Sequence, residues 1–404
     1  MKLTRYLYHL EDVKYSFLTS LLKGDDIKEV LFWTSELYYS GYYNILYNLI
    51  WKVYYDFYAV TNPLIEKKIN RLNNNLIEKF NKLNIKSESS ESKNQNNIKL
   101  TITTCQDESV KNIIYILYLL FNAELIDYRV FEFRFLIPTN ENLELKIKQK
   151  NIKWLQRLKK KLKEDNFKLL KIEELFLISI HNNNSDSNIK FYLLKIDVNR
   201  CYYILKKYYS IIKNIKLKEK NNYLQEILYE DKYHILMAII CYFDLDENDE
   251  VANKRIVLKK YNSSLYNYFC NTNNTNNIDP HKILKEKRDY FVNNNIGCFK
   301  INLNINKSEI LYYYWEYYSS LTLLWKERYE KYNCTFKNKK PIFKNDEYLE
   351  SFYEKYGYEP DEQSKAVQLK STCEIKNNNI YDWLKYIFEE EINIDKNIKK
   401  VYDY

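Results

Sequence analysis

Glycine and proline are nearly missing from this 404-residue chain, which has 4 Gly and 5 Pro. The glycines, Gly24, Gly41, Gly297 and Gly357, each stand alone. A phosphate-cradling loop needs two or three close together, because backbone amides must approach the phosphates. P-loop, dinucleotide-binding and kinase glycine-loop readings are therefore excluded. No GxSxG nucleophile elbow occurs either. Cysteine stands at 105, 201, 241, 270, 298, 334 and 373, an odd number without a CxxC pair. That usage fits reduced thiols in an intracellular protein. The four histidines, His9, His181, His234 and His281, form no HExxH or spaced pair, and Cys270 and His281 lack companion ligands. Neither a metal nor a cofactor is expected. Long apolar runs are absent too. The longest, Ile113–Phe121 and Ile235–Phe243, are nine residues each. As helices they reach roughly 14 Å, against the ~30 Å of a bilayer core. The first residues, MKLTRYLYHLEDVKY, carry His and acids where a secretory signal needs an apolar stretch.

What is present is 46% hydrophobic residues, 42 Tyr and much Asn, Ile and Lys, with Arg and Ala scarce. That is enough apolar material for two or three cores. Tyr, Asn, Lys, Ile and Phe have AT-rich codons, while Gly, Pro and Ala have GC-rich ones. A strongly AT-biased genome accounts for the whole pattern, so the Tyr excess by itself signals no function.

The N-terminal part reads as consecutive antiparallel helices. The first spans about Tyr6 to Leu22 and ends at Gly24, where Asp25 or Asp26 caps the next. The second runs from Ile27 to Tyr39 and stops at Ser40-Gly41. The third begins at Tyr42, and Thr61-Asn62-Pro63 breaks the chain before a fourth that reaches about Leu83. On the third, Asn44, Asn48, Lys52 and Asp56 form a polar stripe at four-residue spacing, so that stripe is expected to face water. The tyrosines around it read as core and boundary residues whose hydroxyls reach the surface. Helix pairs of about 38 residues suit an irregular solenoid, and a bundle is equally open.

The expected organisation is mainly α. It comprises an N-terminal helical domain over 1–85, a polar linker or loop over 86–99, a mostly helical middle over 100–300 with a few short strands, and a helical region over 301–404. Tyr128–Ile137 is read as helix from its neighbours, although Phe131, Phe133 and Phe135 alternate as in a strand. In the last region a long helix is expected over Ser308–Lys331 and another over Asn345–Lys355, ending at Gly357. Pro360-Asp361-Glu362 opens a further helix, and a last one holds Trp383, Tyr386 and Ile387. Trp33, Trp51, Trp315 and Trp325 sit on apolar helical faces and read as core.

Two charge runs call for a functional reading. Asp244–Glu250 resembles a calcium loop, but the sixth position is Asp249 and the twelfth Arg255. Gly and Glu are required there, so it reads as a solvated acidic loop. The stretch Lys146–Lys171 carries eleven basic and two acidic residues, a net of +9 that equals the charge of the whole chain. Read as one amphipathic helix, it sets Ile152, Leu155, Leu158, Leu162 and Leu169 against a basic side. Lys153, Arg157, Lys160, Lys161, Lys168 and Lys171 are the candidate polyanion-binding residues. A single Arg argues against bidentate recognition. No catalytic residue is identified.

Two segments, Leu31–Ala59 (LFWTSELYYSGYYNILYNLIWKVYYDFYA) and Phe352–Gln368 (FYEKYGYEPDEQSKAVQ), resemble uncharacterised proteins of large AT-rich nucleocytoplasmic DNA viruses of the mimivirus-like kind. The resemblance covers about residues 5–65 and 308–370. It implies a viral protein of the host cytoplasm, viral factory or virion, not a secreted one, and carries no catalytic or binding residues with it. The expectation is a non-enzymatic scaffold or protein-interaction protein engaging viral or host proteins. The alternative is a nucleic-acid-associated factor acting through the basic run.

Overall fold

The computed structural model describes residues 2–63, 65–66, 69–70, 95–123, 127, 129–134, 136, 138, 152–182, 185–214, 229–243, 263–272, 288–291, 313–357, 374–377 and 380–388, and these are mainly helical. The elements in order are α1 (Leu10–Lys23), α2 (Ile27–Tyr39), α3 (Tyr43–Val53) running into a π-helical segment (Tyr54–Tyr58), α4 (Gln95–Phe121) and α5 (Arg129–Phe133). There follow α6 (Lys153–Glu164), α7 (Lys171–His181), α8 (Asp186–Leu193), α9 (Val198–Ile211), α10 (Tyr229–Phe243), α11 (Ser263–Asn271) and β1 (Arg288–Phe291). The last are α12 (Trp315–Ser319), α13 (Leu323–Lys331), β2 (Thr335–Lys337), β3 (Lys340–Ile342), α14 (Asp346–Tyr356), β4 (Glu374–Asn377) and α15 (Ile380–Phe388).

The chain divides by contact into two interleaved units rather than into consecutive stretches. One comprises residues 1–53, 67–123 and 257–392, the other 54–66, 124–256 and 393–404. Neither matches the consecutive division into 1–85, 100–300 and 301–404, because α1 packs on α15 at the far end of the sequence.

In the first unit α1 is the central element. Its sides meet α2, α4, α15 and β1, and twelve of its residues are buried. That arrangement is a bundle, since a solenoid packs each element only on sequence neighbours. Gly24 closes α1 at φ 71, a conformation that costs an L side chain. Asp26 caps α2 by accepting from the Lys28 N–H. Trp383 of α15 donates from Nε1 to Thr19 Oγ1 at 2.8 Å and meets Tyr15 edge-on. β1 and β4 pair in parallel, Arg288 opposite Glu374.

The start of the chain departs from the expected helix. Residues before Leu10 form a small loop closed by a bridge between Leu3 and His9, with Leu7 at φ 64. The loop pushes Leu3 and Leu7 into an aromatic cluster with Trp315, Trp325, Tyr329 and Phe352, and this packing offsets the backbone strain. Arg5 is buried between Tyr6 and Tyr39 and bonds Glu36 at 3.0 Å. Its carbonyl accepts from Trp325 Nε1 at 2.7 Å.

The helix expected over Ser308–Lys331 is broken. α12 ends at Ser319, and Thr322 adopts an extended conformation as the N-cap of α13. Ser319 and Thr322 hydroxyls bond backbone carbonyls there, the competition that ends helices at such residues. Gln95–Asn97, expected as polar loop, are the first residues of α4.

In the second unit the π segment packs against α5 and α10, α7 against α8, and α9 against α6, α7 and α10. The Ala59 N–H reaches back five residues to the Tyr54 carbonyl at 2.8 Å. That wider turn shifts the helical phase. Asn44 and Asn48 stay exposed as expected, but Asp56 is turned inside. It is wholly buried and paired with Arg134 at 2.9 Å. Two tyrosine hydroxyls of this stretch also turn inward. Tyr42 donates to the Leu3 carbonyl and Tyr55 to Glu66.

Trp33, Trp51, Trp315, Trp325 and Trp383 are all buried, and Tyr128–Ile137 contributes the short helix α5. Among the described residues no helix is long and apolar enough to cross a membrane. The expected helix beyond residue 70, the loop Asp244–Glu250, His281 and the helix at Pro360 lie outside the described residues.

Candidate polyanion interface

The basic run is not one helix. Residues 146–151 lie outside the described residues, and α6 ends at Glu164. Asn166 takes φ 57, and the Phe167 N–H returns to the Leu162 carbonyl at 2.9 Å, a left-handed helix stop with Asn in place of Gly. Lys168 then sits on an extended link and Lys171 opens α7, both exposed. Among the described residues the charge of the run is thus spread over two helices and a link, which breaks the single basic side drawn across residues 146–171.

Within α6 the amphipathic reading holds. Leu155, Leu158 and Leu162 are buried at helical spacing, and Lys153, Arg157 and Lys160 are exposed on the opposite side. Three further contacts fix the helix. Lys159 bonds Glu174 at 2.7 Å. Asp165 accepts from Lys207 at 2.6 Å and from Tyr203 at 3.1 Å, and these two donors hold its carboxyl below the usual range. Trp154 stacks on His181 at 4.4 Å, whose Nδ1 lies 2.9 Å from the Tyr208 hydroxyl. Burial, with Lys213 nearby, lowers the His181 pKa, so the imidazole is neutral at pH 7 and adds no charge to the surface.

The six sequence candidates fall into different situations. Lys153, Arg157 and Lys160 share one ridge, and among the described residues none of them forms an ion pair. Lys161 lies to the side and pairs with Glu164 at 2.9 Å. Lys168 and Lys171 lie off the ridge. Lys163, not among the candidates, is exposed and also without an ion pair among the described residues. Its signal was present at three residues beyond Lys160. The ridge Lys153, Arg157 and Lys160, with Lys163 on the flank away from Lys161, extends over about 15 Å of helix.

Behind α6, Glu173 is buried and accepts from Arg200 at 2.7 Å and from the Leu170 N–H at 2.8 Å. This anchors the start of α7 to α9.

A second gathering of titratable groups surrounds α5. Arg134 bonds Asp56. Lys190 Nζ donates to the Phe133 and Arg134 carbonyls at 2.6 and 3.0 Å, capping the end of α5. Burial, then Arg134, lowers Lys190 to about 8. Burial, with Asp186 and Asp127 beside it, pushes Glu132 up to about 7. These groups lock the helix ends of the unit to one another. Among the described residues no set of three or more His, Cys, Asp or Glu is placed to hold a metal.

Comparison with protein-family models, with curated proteins and with solved structures returns no match to the chain.

Proposed function

We propose that the chain is a non-enzymatic interaction protein that engages a polyanion, nucleic acid first among them, through the ridge of α6. The observation that carries this reading is the set Lys153, Arg157, Lys160 and Lys163, exposed and without ion pairs among the described residues. The neighbouring Lys159 and Lys161 have carboxylate partners. A face that neutralises its flanks and leaves its crest charged suits a repeating anion, whose counterions are released on contact. The crest is mostly Lys, which acts as a point charge on phosphate and reads no base edges.

The test is binding of labelled duplex DNA or RNA to the full chain as salt is raised. The charge reversal K153E/R157E/K160E should lower affinity at least tenfold and reduce the slope of log K against log salt by about 3, near one per cation removed. Wild-type affinity and slope in that variant would overturn the reading.

The second reading is a scaffold for viral or host proteins. The exposed side chains of Leu170 and Leu194 and the viral resemblance of Leu31–Ala59 and Phe352–Gln368 favour it. Pulldown from infected cells, with and without nuclease, separates the two. Partners that survive nuclease support the scaffold, and partners lost with nucleic acid support the polyanion.

A further inference from the structure

The hairpin β2–β3 carries charge in an arrangement its own stability does not call for. Residues 334–344 contain Lys337, Lys339, Lys340 and Lys344 and no acid. All four lysines are exposed, and among the described residues none forms an ion pair. Lys337 and Lys340 are directly opposite one another across the strands. Like charges at such a position repel. The turn between them, Asn338 at φ 51 and Lys339 at φ 63, holds the two strands close without glycine.

Beside this basic group lies a set of tyrosine rings, one of them open. Tyr313 is 69% exposed and meets Tyr314 edge-on at 4.7 Å. Tyr314, Tyr317 and Tyr318 are half-buried. Lys339 joins the two groups, with Nζ over the Tyr314 ring at 5.8 Å and donating to the Tyr318 hydroxyl at 3.1 Å. Phe336 faces inward, edge-on to Tyr329 at 5.0 Å and Tyr317 at 5.9 Å, so the hairpin is seated on the buried aromatic cluster.

We infer that the β2–β3 hairpin and the Tyr313–Tyr318 rings form a binding surface for single-stranded nucleic acid, with Lys337, Lys339, Lys340 and Lys344 on the phosphates and Tyr313 and its neighbours stacking on bases. The pairing of cations with accessible π faces suits a strand whose bases are free to splay, and a duplex hides those faces. Lysine without arginine, and no side-chain amide beyond the turn residue Asn338 within the hairpin, leave little for base-edge reading. Recognition is sequence-tolerant. This surface belongs to the first unit and does not depend on the α6 ridge of the second.

The experiment uses the full chain carrying K153E/R157E/K160E, so that the α6 ridge does not contribute. Fluorescence anisotropy follows a labelled oligothymidylate of about twelve nucleotides, a duplex of the same length and a polyglutamate peptide. We expect the single strand to bind more tightly than the duplex. Lys337→Gln with Lys340→Gln should weaken it about tenfold and reduce the salt slope by about 1.4, with no loss of thermal stability because repulsion has been relieved. Tyr313→Ala should weaken the single strand about tenfold while leaving the salt slope in place. Binding unchanged in both variants, equal affinity for duplex and single strand, or binding of polyglutamate in preference to the oligonucleotide would each overturn the inference.

Discussion

Asp56 shows how one residue can be misjudged by spacing and explained by chemistry. Its four-residue interval from Lys52 places it on a wet stripe, yet the π turn carries it inside, where Arg134 binds both carboxylate oxygens. Removing Arg134 takes away the cation that faces a wholly buried carboxylate. Arg134→Met should cost about 3–5 kcal/mol in urea unfolding, and D56N/R134M should recover part of that loss. Glu132 offers a pH test. Its carboxyl is pushed up to about 7, above the ordinary value of about 4.3. The folded state therefore holds a proton that the unfolded state releases, and stability falls as pH rises from about 5 to 7. Glu132→Gln should flatten that fall and raise stability at pH 8 by on the order of 1–2 kcal/mol, read from unfolding midpoints at the two pH values. A variant as pH-sensitive as wild type would rule out Glu132 as the group responsible.

At the scale of elements, terminating residues decide what can be foreseen. Gly24 has no side-chain neighbour that an added Cβ would meet. Gly24→Ala thus probes the left-handed backbone alone, and we expect a loss of about 1 kcal/mol in chemical unfolding. Where such a stop coincides with a cap, the element is legible. Asp26 and Ser40 bracket α2, and Asn345 and Gly357 bracket α14, all visible beforehand. The break between α12 and α13 is not, because Ser320, Leu321 and Thr322 carry no Gly or Pro. The hairpin escapes notice for the same reason, since its turn is Asn338–Lys339 rather than Asn-Gly. The basic ridge is half legible. The apolar spacing of Leu155, Leu158 and Leu162 gives its orientation, and Lys161 meets Glu164 within the same helix, but the left-handed stop at Asn166 carries no Gly and the partner of Lys159 comes from α7. β1 and β4 could not be paired in advance, for parallel strands far apart in sequence leave no local signal.

On the scale of the whole molecule, the first unit is assembled from both ends of the chain. Trp383 is its most distant clasp, and Trp383→Ala should destabilise that unit by about 3–5 kcal/mol, seen as early loss of near-UV circular dichroism. The bond between Thr19 and Trp383 spans 364 residues, and that separation has a meaning in time. At about 5–20 residues per second, a ribosome needs roughly 18–73 s to deliver the tryptophan after the threonine has emerged. For that interval the apolar sides of α1 have no α15 to cover them, although the core stretch of the second unit is already complete. The nascent chain therefore waits with its central helix open, and slower translation lengthens that exposure.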